Sequence, residues 1–558
     1  METLVEILPL LMFAALGCLL FSGYPVAFVL GGVGLGFAFI TIFIDDFLFD
    51  WPQFGAIPSR IFGGVSENLI LTAIPMFIFM GTMLERSGIA RDLLNCLQVL
   101  LRRVPGGLAL AVVLMGTILA ATTGIIGASV VMMTLLALPV MMNRDYSPSL
   151  ATGTIAASGT LGILIPPSIM LVIMADLLSR SVGNLFVAAV IPGFMLSGFY
   201  IIYIIITTKI TPSKAPPLPD DVGPQDALGV WLMVLRSFVP PVILIMLVLG
   251  SILGGFATPT EAAGVGAAGA ILLAVLNLVI VPTIGFIWIA PFYFGIAVWV
   301  TASIILGIMG GLGINPFGAV AFPSFIIGVI GMVLAYIMAI RQVRTAHLDT
   351  HAFDELHFDG EADVDLGDHA VGGGISAELR HFWDTLKGVV YRTGLTNAMI
   401  FGIFVGATLF SFVFRTIGGE ELVIELVEAM GLGSWGLLIL LMAIVFFLGF
   451  FFDFIEITLI VLPVFSPIIE LLDFGDHVAK IEVVYWFAIL LAVNLQTSFL
   501  TPPFGFALFY LKAVAPKGVR IQDIYRGIIP FVSLQALGVV LIMVFPGLAL
   551  WLPRVLLD

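Results

Sequence analysis

Cysteine is all but missing from this chain of 558 residues: there are two, Cys18 and Cys96. Both lie in or near apolar runs, so no disulfide framework is implied. Charge is nearly as scarce. Asp, Glu, Lys and Arg make up 10% of the chain against 60% hydrophobic residues, and the mean hydropathy is +1.18. Soluble domains carry about 25% charged residues, so a large soluble core is excluded. Basic stripes are lacking, which argues against a nucleic-acid partner. Also lacking are the HExxH of zinc peptidases, the GxSxG of hydrolases and the glycine-rich lysine loop of ATPases. The N-terminus, METLVEILPLLMF, has no positive n-region and no cleavage site; it reads as a first membrane helix rather than a removed signal.

What the chain has is apolar length. A bilayer core about 30 Å thick needs about 20 apolar residues per helix, and such runs follow one another from 4–21 to 527–552. The fold class is an all-α polytopic membrane protein. Several runs are too short to cross alone. The shortest flank two Pro-Pro sites, where half-helices and re-entrant hairpins belong.

Three polar interruptions organise the rest. Residues 85–105 alternate charges with leucines at helical spacing, as an interfacial amphipathic helix does. Residues 208–230 are proline-rich and read as a linker between halves. Residues 341–395 form the longest polar insert, with eight acids between Asp349 and Asp368 supplying much of the net charge of −14. His347, His351, His357 and His369 lie there too; His347 and His351 stand at i, i+4, yet the segment reads as a solvated acidic loop. Arg86, Arg91, Arg102, Arg103, Lys209, Lys214, Arg236, Arg341 and Arg344 mark cytoplasmic loops by the positive-inside rule, and Arg144 and Arg180 do not fit that side.

An internal repeat is the main signal. Setting Pro139 of TLLALPV on Pro463 of LIVLPVF brings Ser129 onto Asp453. Setting Pro166-Pro167 on Pro502-Pro503 brings Ser158 onto Asn494, Thr160 onto Gln496 and Gly162 onto Ser498. Upstream, FMGTML (79–84) matches FVGATL (404–409). Three blocks recur in one order.

Proline inside a helix removes a donor and clashes with the preceding turn, but it suits the first turn of a new one. LIPPS (164–168) and LTPPF (500–504) therefore read as unwound hairpin tips, each followed by a second half-helix. The backbone groups freed there are tolerated at bilayer depth only where protein, water, ion or substrate satisfies them. Carbonyl ends and hydroxyls suit Na⁺, and amide ends suit a carboxylate. SGTLG (158–162) and NLQTSFLT (494–501) supply such oxygens, and TTGIIGAS (122–129) and FFDFIEIT (451–458) add hydroxyls and acids. No Cys or His stands nearby for a transition metal. Asp453 is the most telling residue, since a carboxylate at bilayer depth is costly and points to function. Glu456 shares its helix face. In ATPTEAAG (257–264), Thr258 or Thr260, Pro259 and Glu261 read as a capped helix start.

GYPVAFVLGG (23–32), PMFIFMGTMLERSGIA (75–90), GTLGILIPPS (159–168), GGFATPTEAAG (254–264) and FFDFIEITLIVLPVFSPI (451–468) together resemble the large membrane subunit of tripartite ATP-independent periplasmic (TRAP) transporters. The resemblance covers roughly residues 1–280 and 396–552; residues 282–395 look like the extra membrane helices and polar loop of a longer subgroup. It implies an inverted-repeat, elevator-type ion transporter fold with two helical hairpins and broken helices. On that plan residues 1–105 form scaffold helices and an amphipathic arm, and 106–207 the first repeat's transport part. Residues 208–281 are linker and second scaffold start, 282–395 the insert, 396–428 second scaffold, and 429–558 the second transport part.

The resemblance also implies function. Na⁺ would be the coupling ion, held near Ser129, Gly162, Ile165 and Pro167 in one half. In the other it would lie near Asp453, Asn494, Thr497, Ser498 and Thr501. A small organic anion would lie between the tips, contacting Ser129, Ser168 and Asp453; an ionised Asp453 would repel it unless Na⁺ or a proton screens the charge. The implied partners are a four-helix small membrane subunit, expected as a separate chain, and a periplasmic substrate-binding protein. The implied place is the bacterial inner membrane. A stand-alone Na⁺/dicarboxylate symporter or Na⁺/H⁺ antiporter of similar plan is the alternative. An intramembrane enzyme using Asp453 and Glu456 has no catalytic motif to support it. Asp453→Ala is expected to abolish Na⁺-driven uptake in proteoliposomes while membrane insertion, followed by fractionation, is retained.

Overall fold

The computed structural model describes residues 2–44, 48–124, 126–219, 223–224, 226–284, 289–296, 298, 327, 329–333, 375–502 and 505–556. Among them there is no β-strand, and nine helices are long and apolar enough to cross a membrane. The chain begins with α1 (Glu2–Leu20), α2 (Val26–Ile44), α3 (Trp51–Ile61), α4 (Ala73–Arg86) and α5 (Ile89–Leu101). The last is the amphipathic segment expected from the sequence. Its Ile89, Leu93, Leu94 and Leu97 are buried while Arg91 is exposed. Cys96 lies on its buried face, where burial pushes the thiol up to about 12; both cysteines are free.

A helical hairpin follows, α6 (Gly107–Thr123) and α7 (Ile126–Asn143), then α8 (Pro148–Thr160), α9 (Ile169–Leu177) and α10 (Val182–Ile210). After α11 (Ala227–Ser237), α12 (Val239–Leu253) and α13 (Pro259–Val275), which runs on into a π-turn at Leu276–Ile280, the next long helices are α14 (Ile375–Thr416) and α15 (Gly419–Ala429). The earlier pattern then recurs: a hairpin of α16 (Ser434–Leu448) and α17 (Phe454–Leu471), a divided helix of α18 (Val483–Leu500) and α19 (Phe506–Val514), and the long α20 (Ile521–Val544), followed by the short α21 (Gly547–Leu556). The start of α13 is the expected cap. Glu261 accepts the Thr258 N–H at 2.8 Å while Thr258 Oγ1 accepts the Glu261 N–H.

Two expectations change. The hairpin turns are not at the Pro-Pro sites but one helix earlier, at Gly124 and at Gly449–Asp453. Gly124 has φ +57°, a left-handed conformation that proline cannot adopt and glycine adopts readily. The first Pro-Pro site, with a cis Pro166–Pro167 bond, instead divides α8 from α9; α8 packs on α6, α7 and α20, and α9 on α10 and α17. The second change concerns the insert. Its acidic loop and most of its extra helices lie outside the described residues, but 375–395 is the first half of α14. The burial of Phe382 and Val389, seven residues apart, gives it one apolar stripe; its many charges mask that stripe in the sequence.

The two repeats hold each other by exchanged contacts. In the transport part α7 packs on α19 and α9 on α17; α8 packs on α20 and α10 on α18. In the scaffold α4 packs on α13 and α14 on α2. Each pair is the repeat counterpart of the other, which is the signature of a two-fold relation between halves. Small residues permit the closest approaches, as is usual between membrane helices. A Cβ on Gly406 would lie 3.3 Å from Gly31 N, and one on Gly34 3.2 Å from Phe410 N. At the α8–α20 crossing a Cβ on Gly153 would overlap Gly527 O, and one on Gly527 would overlap Ser149 O.

Gly153→Ala and Gly527→Ala are each expected to force α8 from α20 and destabilise by about 1–3 kcal/mol, the usual range for overpacking. The check is the thermal midpoint of purified protein, with Gly264→Ala, whose Cβ meets nothing within 4 Å, as the unchanged control.

Candidate functional site

The helices that carry the polar stretches are interior ones. Of the eighteen residues of α18 only Tyr485 is not buried, and in α8 every residue from Leu150 to Thr160 is buried. Most of their hydroxyls bond along their own helices. Ser158 Oγ donates to Thr154 O at 2.7 Å and Thr160 Oγ1 to Ala157 O at 2.9 Å. Thr497, Ser498 and Thr501 donate to Val493 O, Leu495 O and Thr497 O, each at 2.8 Å. A hydroxyl whose proton is held this way offers only lone pairs outward. The stretches thus present acceptors, which suits a hard cation and not an anion.

Each break is covered by the tip of the hairpin before it. In the first half, a Cβ on Gly162 would lie 3.5 Å from Ala120 O and 3.8 Å from Gly124 N, so the break backs onto the α6–α7 turn. Gly124 in turn lies against Ile169, the first residue of α9, where a Cβ would come within 3.3 Å of the Ile169 amide nitrogen. Ser129 is buried one turn inside α7. Ile165 turns its side chain to α10, 2.9 Å from where a Cβ of Gly193 would be, leaving its backbone as the part able to reach an ion. Pro167 is buried. Ser168, also buried, donates across the break to Ile163 O at 2.5 Å and does not cap α9.

The second half repeats this with different chemistry. Gly449, at the α16–α17 tip, sits directly on Ser498; a Cβ there would overlap the Ser498 side chain. Asn494 uses its amide to tie α18 to α16, donating to Met442 O at 2.7 Å. Asp453 is the N-cap of α17: its Oδ1 accepts the Phe454 N–H at 2.8 Å, while Glu456 Oε2 accepts the Asp453 N–H at 3.1 Å. The two acids read as a possible catalytic pair are therefore a capping box. An N-cap carboxylate still keeps lone pairs free for a cation.

Tyr510, on the half-helix after the second break, packs on the first tip and is not foreseen from the sequence. Its ring lies across the first turn of α7, 3.0 Å from where a Cβ of Gly127 would stand. The one sequence cue is a tyrosine in a nine-residue half-helix directly after the second Pro-Pro site. Arg180, which did not fit the positive-inside pattern, pairs with Glu470 at 3.1 Å, joining the end of α9 to the end of α17.

Two buried broken helices, each closed by the tip of its own hairpin and exchanged across a two-fold relation, define a multi-pass membrane transport protein. The chain belongs to the DctM-component family of tripartite ATP-independent periplasmic transporters, whose family model matches residues 12–314 and 372–548, and it is a multi-pass inner-membrane protein. It is 25% identical to the C4-dicarboxylate TRAP transporter large permease protein DctM of Pseudomonas aeruginosa, covering 88% of this chain and 87% of that one. It is 25% identical to the DctM of Vibrio cholerae over 96% of this chain and 95% of that one. To the sialic acid TRAP transporter large permease protein SiaM of Vibrio cholerae the identity is 24%, over 97% of each.

Gly449→Ala is expected to lift the hairpin tip from Ser498 and lower transport. Ser498→Gly in the same chain is expected to restore part of it, read as initial uptake rate in reconstituted vesicles.

Proposed function

We propose that this chain is the large permease subunit of a Na⁺-coupled uptake system, importing a small organic anion with a small membrane subunit and a periplasmic substrate-binding protein. The observation that carries the proposal is the pairing of each hairpin tip with a helix break whose hydroxyls offer lone pairs only. In the first half Ser129 and the backbone carbonyls of Gly162, Ile165 and Pro167 would hold one Na⁺. In the second, Asp453, Thr497, Ser498 and Thr501 would hold another, with Asn494 fixing α18 beside the tip. The anion would lie between the tips, near Ser129, Ser168 and Asp453. Because the Ser168 proton is held by Ile163 O, recognition there falls to the uncapped amides of α9, whose positive end favours a carboxylate. The charge of Asp453 would make anion binding depend on a screening cation. The transport part, bound to the scaffold through fewer elements than hold either part together, would move across the membrane as a unit.

The relatives named for C4-dicarboxylates and sialic acid align with this chain over nearly their whole length, which supports a carboxylate cargo. The test is uptake of radiolabelled organic acids by proteoliposomes holding both membrane subunits, with and without a Na⁺ gradient and the cognate binding protein. Uptake is expected only with all three. Accumulation by this subunit alone would instead establish a stand-alone symporter.

Asp453 can be tested apart from its cap. Asp453→Ala removes both charge and cap, the latter worth about 1 kcal/mol, whereas Asp453→Ser keeps a capping oxygen. Asp453→Ala is expected to abolish Na⁺-driven uptake, and Asp453→Ser to raise the half-saturating Na⁺ concentration about tenfold or more, equivalent to about 1.4 kcal/mol. Normal Na⁺ dependence in Asp453→Ser would reduce Asp453 to a helix cap.

A further inference from the structure

Between the two breaks lies a polar cluster closed off from solvent. Gln496 Nε2 donates to Thr160 Oγ1 at 3.3 Å and to the Tyr200 hydroxyl at 3.4 Å, and Gln535 Nε2 donates to the same hydroxyl at 2.6 Å. All four residues have no exposed surface. Thr160 and Gln496 are counterparts in the repeat, and here they touch. The Tyr200 hydroxyl, on α10, accepts from both glutamines and so ties Gln535 of α20 to the same contact. Counterparts meet only on a two-fold axis, so the cluster marks the axis that relates the halves.

Its position along the chain gives it a second property. Thr160 is two residues from Gly162 at the first break, and Gln496 is bonded directly to Thr497 at the second. The cluster also retains slack: Gln496 Oε1 and Gln535 Oε1 are buried without partners. Turning either amide over would leave its nitrogen end short instead. Two amide oxygens with no protein hydrogen bond to break leave these side chains able to shift when the backbone at either break moves.

We propose that Thr160, Gln496, Tyr200 and Gln535 couple the two cation sites, so that filling one break raises the affinity of the other. This rests on the two-Na⁺ reading above. A cation drawing the backbone of 161–168 inward moves Thr160, and through it Gln496 and the hydroxyls of 497–501; the reverse holds by linkage, since coupling between binding sites is reciprocal. These are positioning residues and touch neither ion nor cargo.

The test compares the Na⁺ dependence of uptake by the complete three-part system with that of Tyr200→Phe and Gln496→Leu. Tyr200→Phe keeps the ring that packs edge-on against Phe531 at 5.2 Å and removes only the hydroxyl. The unaltered protein is expected to show a Hill coefficient approaching about 2, as two coupled sites allow. Both variants are expected to fall toward about 1, with half-saturating Na⁺ raised at least about fivefold and the maximal rate nearly kept. Should Gln496→Leu fail to assemble, Tyr200→Phe decides, and the steepness of Na⁺ protection against thermal unfolding gives the same answer without transport. Unchanged steepness in Tyr200→Phe, with or without lower stability, would overturn the coupling. Uptake by the unaltered protein that ignores Na⁺ would overturn the two-cation reading itself, and the coupling with it.

Discussion

Hydrocarbon offers no partner to an open backbone amide or carbonyl, and this protein interrupts two of its most buried helices within the membrane. Everything around the interruptions answers that constraint. The hairpin tips at Gly124 and Gly449 lie against the breaks because a lipid tail there would leave polar groups unsatisfied. Glycine is required at both, by its left-handed conformation at Gly124 and by contact with Ser498 at Gly449. The rest of the chain encloses these two assemblies so that whatever satisfies the breaks must come from protein, ion or cargo.

The exchange of contacts between repeats serves the same end. Each half closes its break with its own hairpin tip but rests its second half-helix on the other repeat: α9 lies on α17, and α19 on α7. Close glycine crossings let backbones approach where lipid would otherwise intrude. Such crossings add little driving force beyond packing and lipid release, so their precision rather than their strength holds the two halves in register. The scaffold repeats the pattern with α4 on α13 and α14 on α2.

Much of this is legible in the sequence because it rests on rare residues in repeated order. Doubled prolines in apolar runs, a carboxylate at bilayer depth, the leucine spacing of 89–101 and the cap at Thr258 each have a local cause that a linear reading can find. The hairpin turns escape it, since Gly124 is one of 60 glycines and only its backbone angle distinguishes it. The first half of α14 escapes because Glu378, Arg380, Asp384 and Lys387 obscure an apolar stripe. Tyr510 and Tyr200 are invisible for another reason: Gly127, on which the first packs, and Gln496 and Gln535, which the second meets, lie hundreds of residues away. The alignment already set Thr160 on Gln496, but correspondence in sequence does not reveal contact in space.

The hydroxyls of 497–501 have one more consequence. Because their protons are held by their own helix, the wall they form can accept but cannot donate. Such a wall distinguishes the sign of a guest's charge and is blind to its hydrogen-bonding pattern. Telling one small cation from another would then depend on spacing, and spacing here is fixed by backbone pinned beneath a glycine. Were a cation held there, the rigidity of the backbone, more than the chemistry of any single side chain, would discriminate between ions.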